Sequence, residues 1–97
     1  MTFYHGTDED SWNEIVNEGV LWGKRYVLDK YGNLSKGSQP DRCTYLTNEK
    51  KIAKIYGKVI LEVEYEPSKS TNNNYDASSW QMRVYEPIPL SNVKRIK

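Results

Sequence analysis

The chain has few of the side chains on which metal sites and disulfide frameworks depend. It contains a single cysteine, Cys43, and a single histidine, His5, in 97 residues. One cysteine cannot close an intrachain disulfide, and together the two residues fall short of a zinc-finger ligand set. His5 is also the only imidazole available for proton transfer or for hydrogen bonding to a ligand. We therefore expect no metal site and a reducing, cytoplasmic setting.

The chain also lacks a strong excess of charge of either sign. Lys and Arg number 14 and Asp and Glu 13, which gives a formal net charge of +1. The long-range field that draws proteins to phosphate backbones or anionic membranes is therefore missing, and an aromatic-rich nucleic-acid binder is a weak hypothesis. The longest apolar run, Val59 to Leu61, is too short for a membrane span, and the N-terminus has no charged-then-apolar leader. We expect a chain that does not bind membranes.

Two segments have the apolar spacing of helices. The first is predicted over residues 8–18, between the capping side chains of Thr7 to Asp10 and a terminating Gly19. The second is predicted to begin after Thr47 as its N-cap and to end at Gly57. The apolar positions expected on their buried sides are Trp12, Ile15, Val16 and Val20 in the first helix and Ile52, Ala53, Ile55 and Tyr56 in the second.

Alternating segments predict four or five short strands. The clearest covers residues 58–65, and the others cover residues 2–4, 43–46, 80–86 and 92–96. The two intervals without a period are interpreted as loops over residues 21–42 and 68–79, and a turn is expected at Pro87-Ile88-Pro89. This order predicts a single α+β domain over residues 1–97, with a bent, mainly antiparallel sheet and two short helices packed beside it.

Three short segments carry the candidate functional residues. They are Phe3-Tyr4-His5-Gly6-Thr7, Thr44-Tyr45-Leu46-Thr47 followed by Tyr56 eleven residues after Tyr45, and Trp80-Gln81-Met82-Arg83-Val84-Tyr85-Glu86-Pro87. In this order they resemble the ADP-ribosyltransferase superfamily, in the histidine-tyrosine-glutamate branch that includes diphtheria toxin and the poly-ADP-ribose polymerases. The resemblance implies an ADP-ribosyltransferase-like fold with a split sheet, and NAD as the substrate.

The resemblance also implies a role for each matching residue. His5 would hydrogen-bond the adenosine-side ribose of NAD, and the Gly6 backbone, next to Thr7, would hold the nicotinamide carboxamide. Tyr45 and Tyr56 would stack on the nicotinamide ring. The catalytic glutamate of the family falls on Gln81, so the catalytic set becomes His5, Tyr45 and Gln81.

The chemistry of this reaction explains why such residues are wanted. Cleavage of the bond between nicotinamide and ribose develops positive charge on the ribose, so the site must orient the ring and place electron-rich groups nearby. Facing tyrosines gain stacking and cation–π attraction of about 0.5–2 kcal/mol per contact. Gln81 can still hydrogen-bond a ribose hydroxyl, but it cannot act as a general base, which typically costs about 10²- to 10⁴-fold in rate. The carboxylates without support from the resemblance are Glu62, Glu64, Asp76 and Glu86.

Each of these residues also has an ordinary structural interpretation. His5 and Tyr45 are compatible with packing roles, and Tyr56 shares a predicted helix face with Ile52 and would then belong to the core. Trp22 and Trp80 suit either a partner contact or a cover for the sheet. The cations of the first loop are compatible with solvation or with contact to the NAD pyrophosphate; they are Lys24, Arg25, Lys36 and Arg42.

The resemblance implies a small mono-ADP-ribosyltransferase that modifies an unidentified protein or nucleic-acid acceptor. Its minimal size is compatible with a toxin-like, phage-encoded factor for host takeover or anti-defence. The alternative is a catalytically silent domain that binds NAD-type nucleotides or blocks a partner protein.

Overall fold

The computed structural model describes residues 1–23, 27–28, 34–35 and 43–97. Within those ranges it contains nine strands and two α-helices. In chain order these are β1 Thr2–Thr7, α1 Glu9–Glu18, β2 Val20–Leu21, β3 Val27–Leu28, β4 Leu34–Ser35, β5 Thr44–Thr47, α2 Lys50–Tyr56, β6 Val59–Glu64, β7 Gln81–Val84, β8 Ile88–Pro89 and β9 Val93–Arg95. Two 3₁₀ turns, Pro67–Lys69 and Leu90–Asn92, complete the list.

The main sheet has five strands in the order β7-β5-β1-β6-β9, and each neighbouring pair is antiparallel. Two further antiparallel pairs, β2 with β8 and β3 with β4, lie outside it. The predicted α+β class, with a mainly antiparallel sheet and two helices, is confirmed. Neither helix has the length and apolar character needed to cross a bilayer, among the residues that the structure describes.

The pairing of β1 with its two neighbours is very unequal. Six register pairs join β1 to β6, from Thr2↔Glu64 to Thr7↔Val59. A single register pair, Tyr4↔Thr47, joins β1 to β5. The strands β1 and β5 therefore diverge beyond Tyr4, and the sheet opens along this line.

The two helices cover opposite faces of the sheet. The face under α1 carries the main core, and its buried side chains are Phe3, Ile15, Leu21, Leu46, Val59, Leu61, Val63, Tyr65, Met82, Val84 and Ile88. On the other face, α2 packs so closely on β1 that a Cβ atom at Gly6 would lie 1.8 Å from the carbonyl oxygen of Ala53. Only glycine permits this approach, which fixes the position of α2.

The first helix forms as its sequence predicts. Asp8 is the N-cap, and its side chain accepts a 2.7 Å hydrogen bond from the Ser11 amide. Gly19 ends the helix in the left-handed conformation, with φ of 78°. Ile15 is buried, whereas Val16 is exposed, so the buried stripe of this helix is narrower than predicted.

The predicted start of the second helix is wrong. Glu49, and not Thr47, is the N-cap of α2, and it makes no side-chain capping bond. Thr47 is the last residue of β5, and its hydroxyl donates to the Glu49 carbonyl at 2.9 Å. Ala53 is buried as predicted, but Ile55 is 78% exposed, because a single sheet face covers this short helix.

Other boundaries also differ from prediction. The segment predicted as a turn at residues 87–89 contains β8, which pairs with β2 through Val20↔Pro89 and Leu21↔Ile88. The predicted loop over residues 21–42 therefore begins inside a strand, and its described part includes the β3–β4 pair. Its four cations, Lys24, Arg25, Lys36 and Arg42, lie outside the described residues.

The segment between β6 and β7 is held against the sheet by its asparagines. The Asn73 side-chain amide donates to the Tyr65 hydroxyl at 3.1 Å and to the carbonyls of Pro67 and Ser70 at 3.2 Å. The Asn74 backbone amide donates to the Arg83 carbonyl at 3.1 Å, and the Arg83 backbone amide donates to the Asn74 side-chain oxygen at 2.6 Å. These bonds fix the outer edge of β7, the strand that carries Gln81 and Arg83.

Candidate functional site

A cleft of about 310 Å³ opens where β1 and β5 diverge, on the face of the sheet that α2 covers. It draws residues from four elements. The lining residues are His5, Gly6, Tyr45, Thr47, Tyr56 and Gln81. Five of these six were predicted as site residues from the sequence, and they come from all three of the segments that carry the resemblance.

The His5 ring bridges the two diverging strands. Its Nδ1 atom lies 2.8 Å from the carbonyl oxygen of Tyr45. Burial lowers the pKa of His5 below its ordinary value, and the bond to Tyr45 offsets this in part, so the ring is neutral at pH 7. A carbonyl can only accept, so Nδ1 carries the proton and Nε2 keeps its lone pair. The Nε2 atom of His5 can therefore accept a hydrogen bond from a donor that enters the cleft.

Gly6 presents its backbone to the cleft. Its register partner in β6 is Ile60. The Ile60 amide donates to the Lys97 carbonyl at 3.0 Å, and the Ile60 carbonyl accepts from the Ile96 amide at 2.9 Å, so both groups point away from β1. Antiparallel ladders alternate hydrogen-bonded and non-hydrogen-bonded pairs, so Gly6 and Ile60 form a non-hydrogen-bonded pair. The N–H and C=O of Gly6 consequently point away from β6, toward the place where β5 has diverged.

The two tyrosines of the cleft are not core residues. Tyr45 is 45% exposed and Tyr56 is 56% exposed, so both rings have surface available to a ligand. The core role considered for Tyr56 is wrong, because its side chain is largely exposed and lines the cleft, although its Cβ lies against Gly6. The Arg83 guanidinium lies 5.6 Å from the centre of the Tyr45 ring and borders the cleft on the side of β7.

Thr47 and Gln81 face each other across β5 and β7 as a register pair. Thr47 is only 3% exposed, yet it lines the cleft, and sequence reasoning missed it because its hydroxyl suggested a helix cap. The signal was present: Thr47 lies two residues after Tyr45, and alternate residues of a strand share a face. The same rule places Gln81 on the face of Arg83.

No Asp or Glu lines this cleft, among the residues that the structure describes. Glu86 accepts hydrogen bonds from Tyr65, at 3.1 Å, and from Ser70. Glu64 accepts from the Thr2 hydroxyl, and Asp76 accepts from Ser78 at 2.8 and 2.9 Å. These three carboxylates are hydrogen-bonded elsewhere and do not line the cleft.

Glu62 and Thr7 also lie outside the lining of the cleft. Glu62 is paired in register with Tyr4 on one side and Lys94 on the other. Thr7 ends β1, and its backbone touches Gly57, where an added Cβ would lie 2.1 Å from the Thr7 carbonyl oxygen. Thr7 thus contributes to the docking of α2. Across the described ranges, no group of three or more His, Cys, Asp or Glu side chains is arranged to hold a metal ion.

Comparisons with protein-family models, curated proteins and solved structures give no match for this chain. The interpretation of the cleft therefore depends on its own residues and geometry.

Proposed function

We propose that this chain binds NAD in the cleft and transfers ADP-ribose to a macromolecular acceptor. The observation that carries the proposal is the convergence of His5, Gly6, Tyr45, Tyr56 and Gln81 on one cleft of about 310 Å³. These residues come from distant parts of the chain, and the resemblance to ADP-ribosyltransferases requires them to meet.

The cleft offers a matching group for the nicotinamide ring of NAD, for its carboxamide and for a ribose. The exposed rings of Tyr45 and Tyr56 provide stacking surface for a planar, cationic nicotinamide. The Gly6 backbone provides one donor and one acceptor, which is the complement of a carboxamide. The Nε2 atom of His5 accepts a hydrogen bond from a hydroxyl of the adenosine-side ribose.

The proposed transfer breaks the C–N bond between the ribose C1′ atom and nicotinamide, and nicotinamide leaves with the electron pair. A nucleophile of the acceptor then bonds to C1′ and loses its proton to water. Gln81 orients the ribose through hydrogen bonds, but its amide takes no proton and carries no charge to stabilise the cation. We therefore expect transfer to be slow.

The second candidate function is nucleotide binding without turnover. The absence of a carboxylate among the described residues that line the cleft favours it. In this case the stacking and backbone groups still hold NAD, and the bond to nicotinamide stays intact.

Calorimetric titration with NAD, combined with transfer from radiolabelled NAD in a cell lysate, tests both functions. Binding together with a discrete labelled species supports the transferase. If both the wild type and Gln81→Glu bind NAD but neither transfers ADP-ribose nor releases nicotinamide, the result supports nucleotide binding without turnover. No binding of NAD by either protein contradicts both.

A further inference from the structure

The near-zero net charge conceals a strong separation of charge between the two helices. Helix α1, Glu9–Glu18, contains four acidic residues and no lysine or arginine. Helix α2, Lys50–Tyr56, contains three lysines and no acidic residue, and Lys58 lies two residues beyond its end. Because the helices cover opposite faces of the sheet, the acidic helix and the cleft lie on different sides of the molecule.

A basic groove lies beside the cleft. It has a volume of about 350 Å³, and Lys54, Gly57, Lys58, Ile60 and Lys97 line it. All three lysines are exposed. Tyr56 precedes Gly57 in the chain, so the cleft and the groove meet at the C-terminal end of α2.

The cleft has a cation on its other side too. Arg83 lies 5.6 Å from the Tyr45 ring centre, and a hydrogen bond with Tyr85 raises the pKa of its guanidinium further. Tyr85 is 37% exposed and lies outside the lining of the cleft, so its ring is accessible beside Arg83 and is not needed for nicotinamide. Among the described residues, Glu49 is the acidic group nearest to α2 in the chain, and it lies 3.9 Å from Lys51.

We propose that this face binds single-stranded nucleic acid, which is the acceptor of the transfer proposed above. Cations that track a phosphate backbone, alternating with exposed aromatic rings that stack on bases, are the two components of single-strand recognition. A peptide of acidic side chains uses the cations but offers no planar group to the Tyr85 ring, so this exposed ring favours the nucleic acid. The binding surface stands independently of NAD, whereas its role as acceptor rests on the proposed function.

Binding of a fluorescent 12-nucleotide oligothymidylate, measured without NAD, tests the surface. The affinity is expected to fall as the salt concentration rises. A plot of the logarithm of the binding constant against the logarithm of the salt concentration should have a slope of about −0.7 for each phosphate contact. Lys54→Glu is expected to lower the affinity about tenfold and to reduce that slope. The matched control is Lys69→Glu, which changes the net charge equally in the 3₁₀ turn beyond the opposite end of β6, and it is expected to bind as the wild type does.

Two further measurements separate the alternatives. Tyr85→Ala is expected to weaken the oligothymidylate several-fold and to leave an abasic oligonucleotide of the same length unaffected. A salt-independent affinity, an equal loss in Lys69→Glu, or displacement by polyglutamate at the same concentration as by the oligonucleotide would each overturn the binding surface. The role as acceptor is tested with radiolabelled NAD and either the wild type or Gln81→Glu. If the oligonucleotide binds but is not labelled while proteins are labelled, nucleic acid is not the acceptor.

Discussion

The imidazole of His5 and the backbone carbonyl of Tyr45 are joined across the opening between β1 and β5 by a contact of 2.8 Å. A side chain thus makes the connection that a backbone amide makes in an unbroken ladder. This contact fixes the ring, its tautomer and the direction of its remaining lone pair. Several properties of the cleft depend on it.

The first prediction concerns pH. The pKa of His5 is lowered in the folded state from its ordinary value of about 6.5. Below pH 6.5 this residue therefore binds more protons in the unfolded chain than in the folded chain. The free energy of unfolding is therefore expected to fall as the pH decreases from about 6.5 toward the folded pKa of His5, and to be independent of this group above 6.5. Urea unfolding between pH 7.5 and pH 5 measures the effect.

His5→Gln is the control for this titration, since glutamine can donate to the same carbonyl without titrating. It should remove the slope between pH 5 and 6.5, where no other side-chain type of this chain has its ordinary pKa. Nitrogen-15 NMR of the ring should show the tautomer with its proton on Nδ1. A ring pKa at or above 6.5 would contradict the prediction.

The second prediction concerns the close contact of Gly6 with Ala53. Gly6→Ala would bring a Cβ within 1.8 Å of the Ala53 carbonyl oxygen and displace α2, together with Tyr56. We expect a loss of stability of about 1–3 kcal/mol, as for other overpacked sites, and a loss of NAD binding beyond it. Thermal and urea unfolding measure the loss of stability. Calorimetric titration with NAD, at a temperature where the variant is fully folded, measures the loss of binding.

Gly19→Ala is the comparison for this variant. Gly19 has open space for a Cβ but a left-handed backbone, so its cost of about 1–2 kcal/mol is conformational and local to the end of α1. It should leave NAD binding unchanged. If Gly6→Ala also retains full NAD affinity, the position of α2 does not matter to the cleft.

The third prediction concerns stacking. Tyr56→Ala is expected to raise the dissociation constant of NAD about 3- to 30-fold, the equivalent of one aromatic contact, while Tyr56→Phe keeps most of the affinity. The neighbouring Ile55→Ala removes exposed apolar surface from the same helix outside the cleft. It is expected to bind NAD as the wild type does, and equal losses in both alanine variants would refute the stacking role.

The fourth prediction concerns a carboxylate at position 81. Gln81→Glu introduces a charged group beside Thr47 at nearly constant size, and under the proposed function it is expected to raise the rate of nicotinamide release about 10²- to 10⁴-fold. Gln81→Ala, which removes both the charge and the hydrogen bonds, should fall below the wild type. Rates that are the same for all three proteins would place the reaction away from this residue.

Much of the fold could be predicted because local signals coincide with it. The Asp8 cap, the Gly19 stop and the spacing between them all indicate the same helix, and the alternation of residues 58–65 predicts β6. The start of α2 could not be predicted in this way. A threonine hydroxyl suits both a helix cap and the end of a strand, and tertiary pairing with Tyr4 decides between them.

The cleft shows the same division. The sequence resemblance brought His5, Tyr45, Tyr56 and Gln81 together as a set, and the structure places all four around one cleft. Thr47 was missed because its membership follows from strand register, which depends on residues far away in the chain. The basic groove could not be predicted from the net charge, because that number sums the acidic residues of α1 and the lysines of α2. The field at a surface depends on where the charged residues lie.

The unequal pairing of β1 also has a mechanical consequence. Six register pairs hold β1 to β6, and one holds it to β5, so the Tyr4–Thr47 pair is the natural pivot between two halves of the sheet. The hydrogen bond between His5 and Tyr45 also spans the opening, so a rotation that widens the space between His5 and Gln81 would have to break it. This one hydrogen bond therefore limits how far the cleft can open while the ladder between β1 and β6 stays intact.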